Sequence, residues 1–377
     1  MTLTARQLNR ATLGRQLLLR RESLGVVEGV HRVVALQAQE AASPYIALWN
    51  RLAGFDPAEL DAAFADHAIV KAQLMRITLH AVDVADYPAF HLAMQITLRA
   101  ARLYDRRFTR TGLSSADADA LMPAVLEFAA RPRTNAEAEA WLDERLGVTE
   151  KPGVWWAFRQ FGPMWHHPSG GPWSFGPRPS YIAARPRASA TDPATSMQWL
   201  ARRYLEGFGP ATAQDLAQFS TIYRGPAKEA LESLGDDLVR LKGPDGAELY
   251  DVPGGFLPEE DTPAPPRLMA MWDSILLAYV DRSRLIPAAY RKIVIRSNGD
   301  VLPTVLVDGH VAGVWRPTED GIEITAFHKL AKKDWAGLQA EAAALVAFLA
   351  DREPTTYRRY ARWWQTLPSA EVRVLGA

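Results

Sequence analysis

The chain has 377 residues and no cysteine. That absence excludes disulfides, thiolate metal sites and cysteine nucleophiles at once, and it fits a reducing cytoplasm. A surplus of charge is also missing, since 43 Lys and Arg stand against 43 Asp and Glu. A protein that coats nucleic acid indiscriminately carries a basic excess, so binding to DNA here requires a local patch. No apolar run approaches the roughly 18–20 residues of a membrane-spanning helix. The N-terminal Met1-Thr2-Leu3-Thr4-Ala5-Arg6-Gln7-Leu8 lacks the basic-then-apolar layout of a secretion signal. The expectation is a soluble cytoplasmic protein that makes no membrane contact. Its length suits about two to four modules around a sizeable interior.

What the chain does have is a Val-rich segment that ends in two carboxamides. Val26, Val30, Val33 and Val34 recur at helical spacing and lead into Leu36-Gln37-Ala38-Gln39. Extending that helix puts Gln37 on the stripe that faces the core. A buried amide must find hydrogen-bond partners, so Gln37 is either a satisfied core residue or looks into a cavity. On a regular helix Gln37 and Gln39 stand about 200° apart and serve one site only if the helix ends or distorts there. Ser43-Pro44 is the expected break, because a proline pushes the residue before it out of helical geometry.

Elsewhere one outline recurs. Thr4 caps a first helix carrying Leu8, Ala11, Leu13 and Leu17. Asp56-Pro57-Ala58-Glu59 starts another, and 69–74 and 77–82 read as a hairpin. Helices are next expected from Ser114 and from Thr134, which forms a capping box with Glu137, and again over 152–161. Strands at 163–167 and 173–175 flank the turn-forming Pro168-Ser169-Gly170-Gly171-Pro172. In a third copy, helices over 197–208, 213–219 and 225–234 precede strands over 238–241 and 248–252. Helices followed by a small hairpin outline a winged helix, used on DNA and also as a protein-interaction scaffold. A proline-rich linker spans 253–266. Beyond it, strands are expected over 292–296, 301–307, 310–315 and 322–325, with Asp308-Gly309 as a hairpin turn. A last helix over 335–351 takes Asp334 as its N-cap. The expected fold is α+β, mainly helical with small β-sheets. It comprises three winged-helix modules (1–100, 101–190, 191–258) and a C-terminal α/β segment (259–377) bearing a β-hairpin.

Five segments in this order resemble the AlkZ-like winged-helix DNA glycosylases. They are Leu36-Gln37-Ala38-Gln39, Arg76-Ile77-Thr78-Leu79-His80, Phe208-Gly209-Pro210-Ala211-Thr212, the run from Asp273 to Arg282, and the run from Asn298 to Gly309. The resemblance implies tandem winged helices forming a concave DNA-binding surface, with a C-terminal β-hairpin that reaches the duplex. It implies excision of alkylated bases as the first step of base excision repair. The Gln-x-Gln form marks the AlkZ branch, which unhooks bulky adducts or interstrand crosslinks made by a genotoxic natural product, as self-resistance. The related YcaQ branch carries Asp where this chain has Gln39. Catalytic roles are thereby implied for Gln37 and Gln39, and DNA contacts for the hairpin tip Asp308-Gly309-His310.

The chemistry is consistent with that implication. Glutamines are neither strong acids nor strong bases, but each offers a carbonyl acceptor and an NH₂ donor. They can place water and aim dipoles, which suffices only for a leaving group that is already activated. An N7-alkylated purine is cationic and meets that condition. Arg76, Arg282 and Arg284 are candidates for phosphate contacts or ordinary surface arginines. Thr78 and His80 either line the site or are structural. His166-His167 has no further ligands at metal spacing, so neither metal nor other cofactor is expected. No lysine belongs to these motifs, so hydrolysis without a Schiff base or strand cleavage is expected from a monomeric, monofunctional DNA glycosylase. Its partner would be double-stranded DNA with alkylated bases. The alternatives are a non-catalytic winged-helix regulator and an interaction scaffold.

Overall fold

The computed structural model describes residues 2–147, 152–185 and 192–376. The expected boundary at 190–191 lies outside the described residues. Helix α1 (Ala5–Arg15) starts at Thr4, whose side chain accepts from the Gln7 amide while Gln7 returns the bond, a capping box. Helix α2 (Val26–Val33) buries Val26, Val30 and Val33. It does not continue into the glutamines. Val34 takes φ 73°, which breaks the helical path. The carbonyls of Val33 and Ala35 bond instead to Gln16 Nε2 at 3.2 Å and Ser274 Oγ at 2.9 Å. The chain then runs extended as β1 (Leu36–Gln37), and Ser43-Pro44 opens α3 (Ser43–Trp49) rather than ending a helix. Proline suits that place, because the first helical turn has no use for its missing N–H.

Helix α4 (Pro57–Ala65), capped by Asp56, leads to the hairpin of β2 (Ile69–Gln73) and β3 (Leu79–Asp83), and then to α5 (Tyr87–Leu103). Next come α6 (Arg106–Thr109), α7 (Ser115–Phe128), β4 (Arg133–Thr134), α8 (Asn135–Leu146) and α9 (Pro152–Phe161). The second hairpin pairs β5 (Met164–His167) with β6 (Ser180–Ala183). The strand expected over 173–175 is instead a turn, because Trp173 and Ser174 are drawn out of the hairpin. Trp173 Nε1 donates to Glu353 and Ser174 Oγ to Asp61. The two hairpins share one six-stranded sheet, ordered β1-β3-β2-β5-β6-β4.

Helices α10 (Pro193–Phe208), α11 (Ala213–Ser220) and α12 (Arg224–Ser233) precede a two-stranded hairpin, β7 (Val239–Lys242) and β8 (Glu248–Asp251). After β9 (Arg267–Leu268) the segment expected as a strand over 292–296 forms the short helix α13 (Arg291–Val294). Strands β10 (Thr304–Val307), β11 (His310–Thr318) and β12 (Gly321–Ala326) follow, then α14 (Lys332–Ala350) and β13 (Glu371–Leu375). The N-cap of α14 is Ala331, and Asp334 lies in its first turn. The second sheet is ordered β13-β12-β11-β10-β9. The fold is thus α+β, and one apolar core runs through nearly the whole chain. Two buried bidentate ion pairs cross it. Arg15 binds Asp251 at 2.7 Å and Arg51 binds Asp273 at 2.9 Å. Among the described residues no helix is long and apolar enough to cross a membrane.

Candidate active site and nucleic-acid interface

Strand β1 forms the edge of the six-stranded sheet, and Gln37 lies opposite His80 on β3. Gln37 is 3% exposed, whereas Gln39, at a bend just past the strand, is exposed. Both amides are oriented by backbone donors. The N–H of Gln39 donates to Gln37 Oε1 at 2.8 Å, and that of Leu79 donates to Gln39 Oε1 at 3.3 Å. Since a backbone N–H can only donate, each carbonyl oxygen is engaged and each NH₂ is left to point elsewhere. The 200° separation expected on a helix does not apply, because the segment is extended and bends at the sheet edge. The nearest acid in sequence, Glu40, is occupied by Arg359 and by the Tyr360 hydroxyl at 2.7 Å.

The β2–β3 turn supplies the next groups. Arg76 and Ile77 have φ 55° and 56°. Two adjacent non-glycine residues there store strain of order ~1–3 kcal/mol each, a cost found mostly where backbone geometry serves function. The turn directs Arg76 toward His80, with Arg76 Nη2 to His80 Nε2 at 3.0 Å. A guanidinium only donates, so Nε2 accepts and His80 carries its proton on Nδ1, which donates to the Thr78 carbonyl at 3.1 Å. Burial and then the Arg76 charge hold His80 well below the ordinary histidine range, so it is neutral. Burial and then Arg282 bring Arg76 down to about 9, and its guanidinium also lies 5.2 Å over the Phe219 ring. Thr78 Oγ1 donates to the Met75 carbonyl. Gln37, Gln39, Thr78, His80, Arg76 and Arg282 therefore gather around one edge.

The other expected residues form a second group near α1. Arg284 lies 3.8 Å over the Tyr279 ring and donates to the Pro210 carbonyl. Gly309 has φ 77°, as the expected hairpin turn requires, but the turn is docked rather than projecting. Asn9 Nδ2 donates to the Gly309 carbonyl at 2.9 Å, and Asp308 is held by Arg6 and Arg10. Burial pushes the Asp308 carboxyl up, but the two arginines offset it and leave it below the usual range. His310, half-buried, borders a cleft of about 680 Å³ with Arg6, Arg284 and the β7–β8 turn Gly243-Pro244-Asp245. Arg6 and Arg10 escaped sequence reasoning. Their spacing of four on α1 was the available signal, since it places both on one helix face.

A further cleft, of about 620 Å³, lies on the other side of the β1 edge and is lined by Gln39, Lys71, His166, Trp173, Phe175 and Tyr357. Lys71 was also missed, although a single lysine inside Ile69-Val70-Lys71-Ala72 is a visible exception to an apolar strand. Among the described residues no group of three or more His, Cys, Asp or Glu is placed to hold a metal ion.

The family model described as DNA glycosylase AlkZ-like matches residues 30–348. The structure is similar to that of the Streptomyces sahachiroi DNA glycosylase AlkZ, with a TM-score of 0.78 at 20% identity, covering 94% of this chain and 99% of that one. No curated protein sequence matches the chain.

Proposed function

Because the chain belongs to the AlkZ-like DNA glycosylase family, we propose that it hydrolyses the N-glycosidic bond of N7-alkylated purines in duplex DNA, with Gln37 as the water-positioning residue and Gln39 assisting. The observation that carries this reading is the state of the two amides. Their carbonyl oxygens are engaged by backbone N–H groups at the β1 edge, which leaves their NH₂ groups as the donors. An NH₂ that holds a water through one lone pair leaves the other to face C1′. With His80 neutral and Glu40 held by Arg359 and Tyr360, the site has neither of these groups available to protonate a leaving base. It therefore suits a purine whose alkylation has already supplied the positive charge, whether as a monoadduct or as one end of a crosslink.

DNA on this reading lies across the winged-helix modules and meets Arg76 and Arg282 beside the glutamines. Arg284, Arg6 and His310 carry the contact toward the docked Asp308-Gly309 turn. Asp308 itself acts by holding Arg6 in place. The test is a duplex with a single N7-methylguanine, incubated with the full chain in EDTA. The expected result is release of free 7-methylguanine and an abasic site, with undamaged duplex untouched. Tight, salt-sensitive binding with no base release would instead identify a non-catalytic DNA-binding protein.

A further inference from the structure

Lys71 has no evident role in this hydrolysis, yet it is built into the cleft that Gln39 borders. It occupies the middle of β2, paired across the sheet with Ala81 on one side and His166 on the other. Its residue is 5% exposed. No carboxylate and no hydrogen-bond acceptor meets its Nζ among the described residues. The Nζ lies over the Phe175 ring, 4.3 Å from its centre. Burying an ammonium without an anion is costly, and the usual outcome is loss of the proton. Burial alone brings the Lys71 amine down to about 7. Burial likewise holds His166 well below the ordinary histidine range, and the two side chains face the same cleft. An unprotonated primary amine in an aromatic-lined pocket is a nucleophile toward carbonyl carbon.

We propose that Lys71 forms a Schiff base with the aldehyde of the abasic deoxyribose that base removal leaves. This rests on the glycosylase reading: that reaction generates the aldehyde at Gln37, and the opened sugar passes round the β1 edge by way of Gln39 to reach the Lys71 cleft. The Nζ lone pair attacks C1′ of the ring-opened sugar, and the carbonyl π electrons move to oxygen. The resulting carbinolamine loses that oxygen as water, taking up one proton from solvent, and leaves an iminium between Nζ and C1′. Hydrolysis reverses each step, so no oxidant or reductant is consumed. The excision step still uses water. The amine acts afterwards, in contrast to the expectation that no Schiff base forms. Covalent capture would hold a toxic abasic site until it is passed on.

The test supplies the abasic site directly, so that base excision is not required. A duplex carrying one abasic site is incubated with the full chain and sodium cyanoborohydride, which reduces an iminium to a stable amine. The expected result is a covalent protein–DNA band whose tryptic peptide carries the modification on Lys71. The capture rate should rise with pH and level off above about 7, whereas an ordinary lysine keeps gaining up to about 10. Lys71→Met and Lys71→Gln should reduce the band at least 50-fold. Peptide mapping of the wild-type adduct gives an answer even if these variants misfold. No band, or a band mapped to another lysine, overturns the proposal. If the same preparation releases 7-methylguanine but captures nothing, Lys71 is not the nucleophile and the glycosylase reading stands. Capture without base release on the alkylated duplex refutes the glycosylase reading and leaves the amine chemistry in place.

Discussion

Gln37 is nearly enclosed, and its one polar bond through Oε1 is local, to the Gln39 amide. Removing its side chain therefore costs the fold little, about 1 kcal/mol, while it takes away the donor proposed to hold the attacking water. Gln37→Ala should lower single-turnover excision by about 100-fold or more, the size seen when an aimed hydrogen-bond donor is removed. DNA affinity and melting temperature should change little. Wild-type excision by a folded Gln37→Ala protein would make Gln37 a structural residue. Gln39 is exposed and its bond to Leu79 is long, so Gln39→Ala should be milder. Gln39→Asp should stay active, because a carboxylate there can stabilise positive charge developing at the sugar.

Elements are held to one another by a few buried pairs, and these are where the fold is vulnerable. Arg51 and Asp273 are both buried and join the turn after α3 to the segment after β9 through two bonds of 2.9 Å. Asp273→Asn leaves the guanidinium without its counter-charge and should destabilise by about 3–5 kcal/mol in urea unfolding. An unchanged midpoint would mean that the pair contributes nothing net. At the β10–β11 turn, a Cβ on Gly309 would lie 2.6 Å from Asn9 Oδ1 and from Leu13 Cδ1, in a left-handed conformation. Gly309→Ala should cost at least about 1–2 kcal/mol and loosen the turn from α1. Local features such as this glycine, the Thr4 cap, the Thr134–Glu137 capping box and the α9 span were legible in the sequence, because each is decided within a few residues. The end of α2 at Val33 was not, since its freed carbonyls are satisfied by Gln16 and Ser274, the latter 239 positions from the Ala35 it bonds. The same holds for the site. The Gln-x-Gln motif marked the place, but its extended geometry, the His80 tautomer and the burial of Lys71 all depend on strands paired from elsewhere.

For the molecule as a whole, histidine burial sets the response to acid. Six of its eight histidines lie below the ordinary range, burial being the first cause in each: His67, His80, His91, His166, His167 and His310. His91 is brought down to about 4. Unfolding returns each to about 6.5. Between the folded and unfolded values the unfolded chain binds more protons, so stability rises with pH there. Their contribution is complete above about pH 6.5 and is lost progressively as pH falls toward the folded values. His80, His91 and His166 are the most deeply enclosed. His91, brought down to about 4, should cost roughly 1.4 kcal/mol per pH unit between about pH 6.5 and 4, and His80 and His166 act in the same direction. Lys71 works in the same sense higher up, where its contribution should still climb between about pH 7 and 10.5. Urea midpoints should therefore rise from pH 5.5 to about 9, with no maximum near the sequence pI of about 7.1, and turn over near pH 10, where unfolded tyrosines ionise but the buried Tyr45, Tyr87 and Tyr357 stay protonated. His80 also accepts from Arg76 beside the glutamines, so its protonation would break that contact within the site itself. Excision should fall with the same acid transition as folding, and a protein whose urea midpoint is flat from pH 7.5 to 5.5 would show that these histidines are not buried as the structure has them.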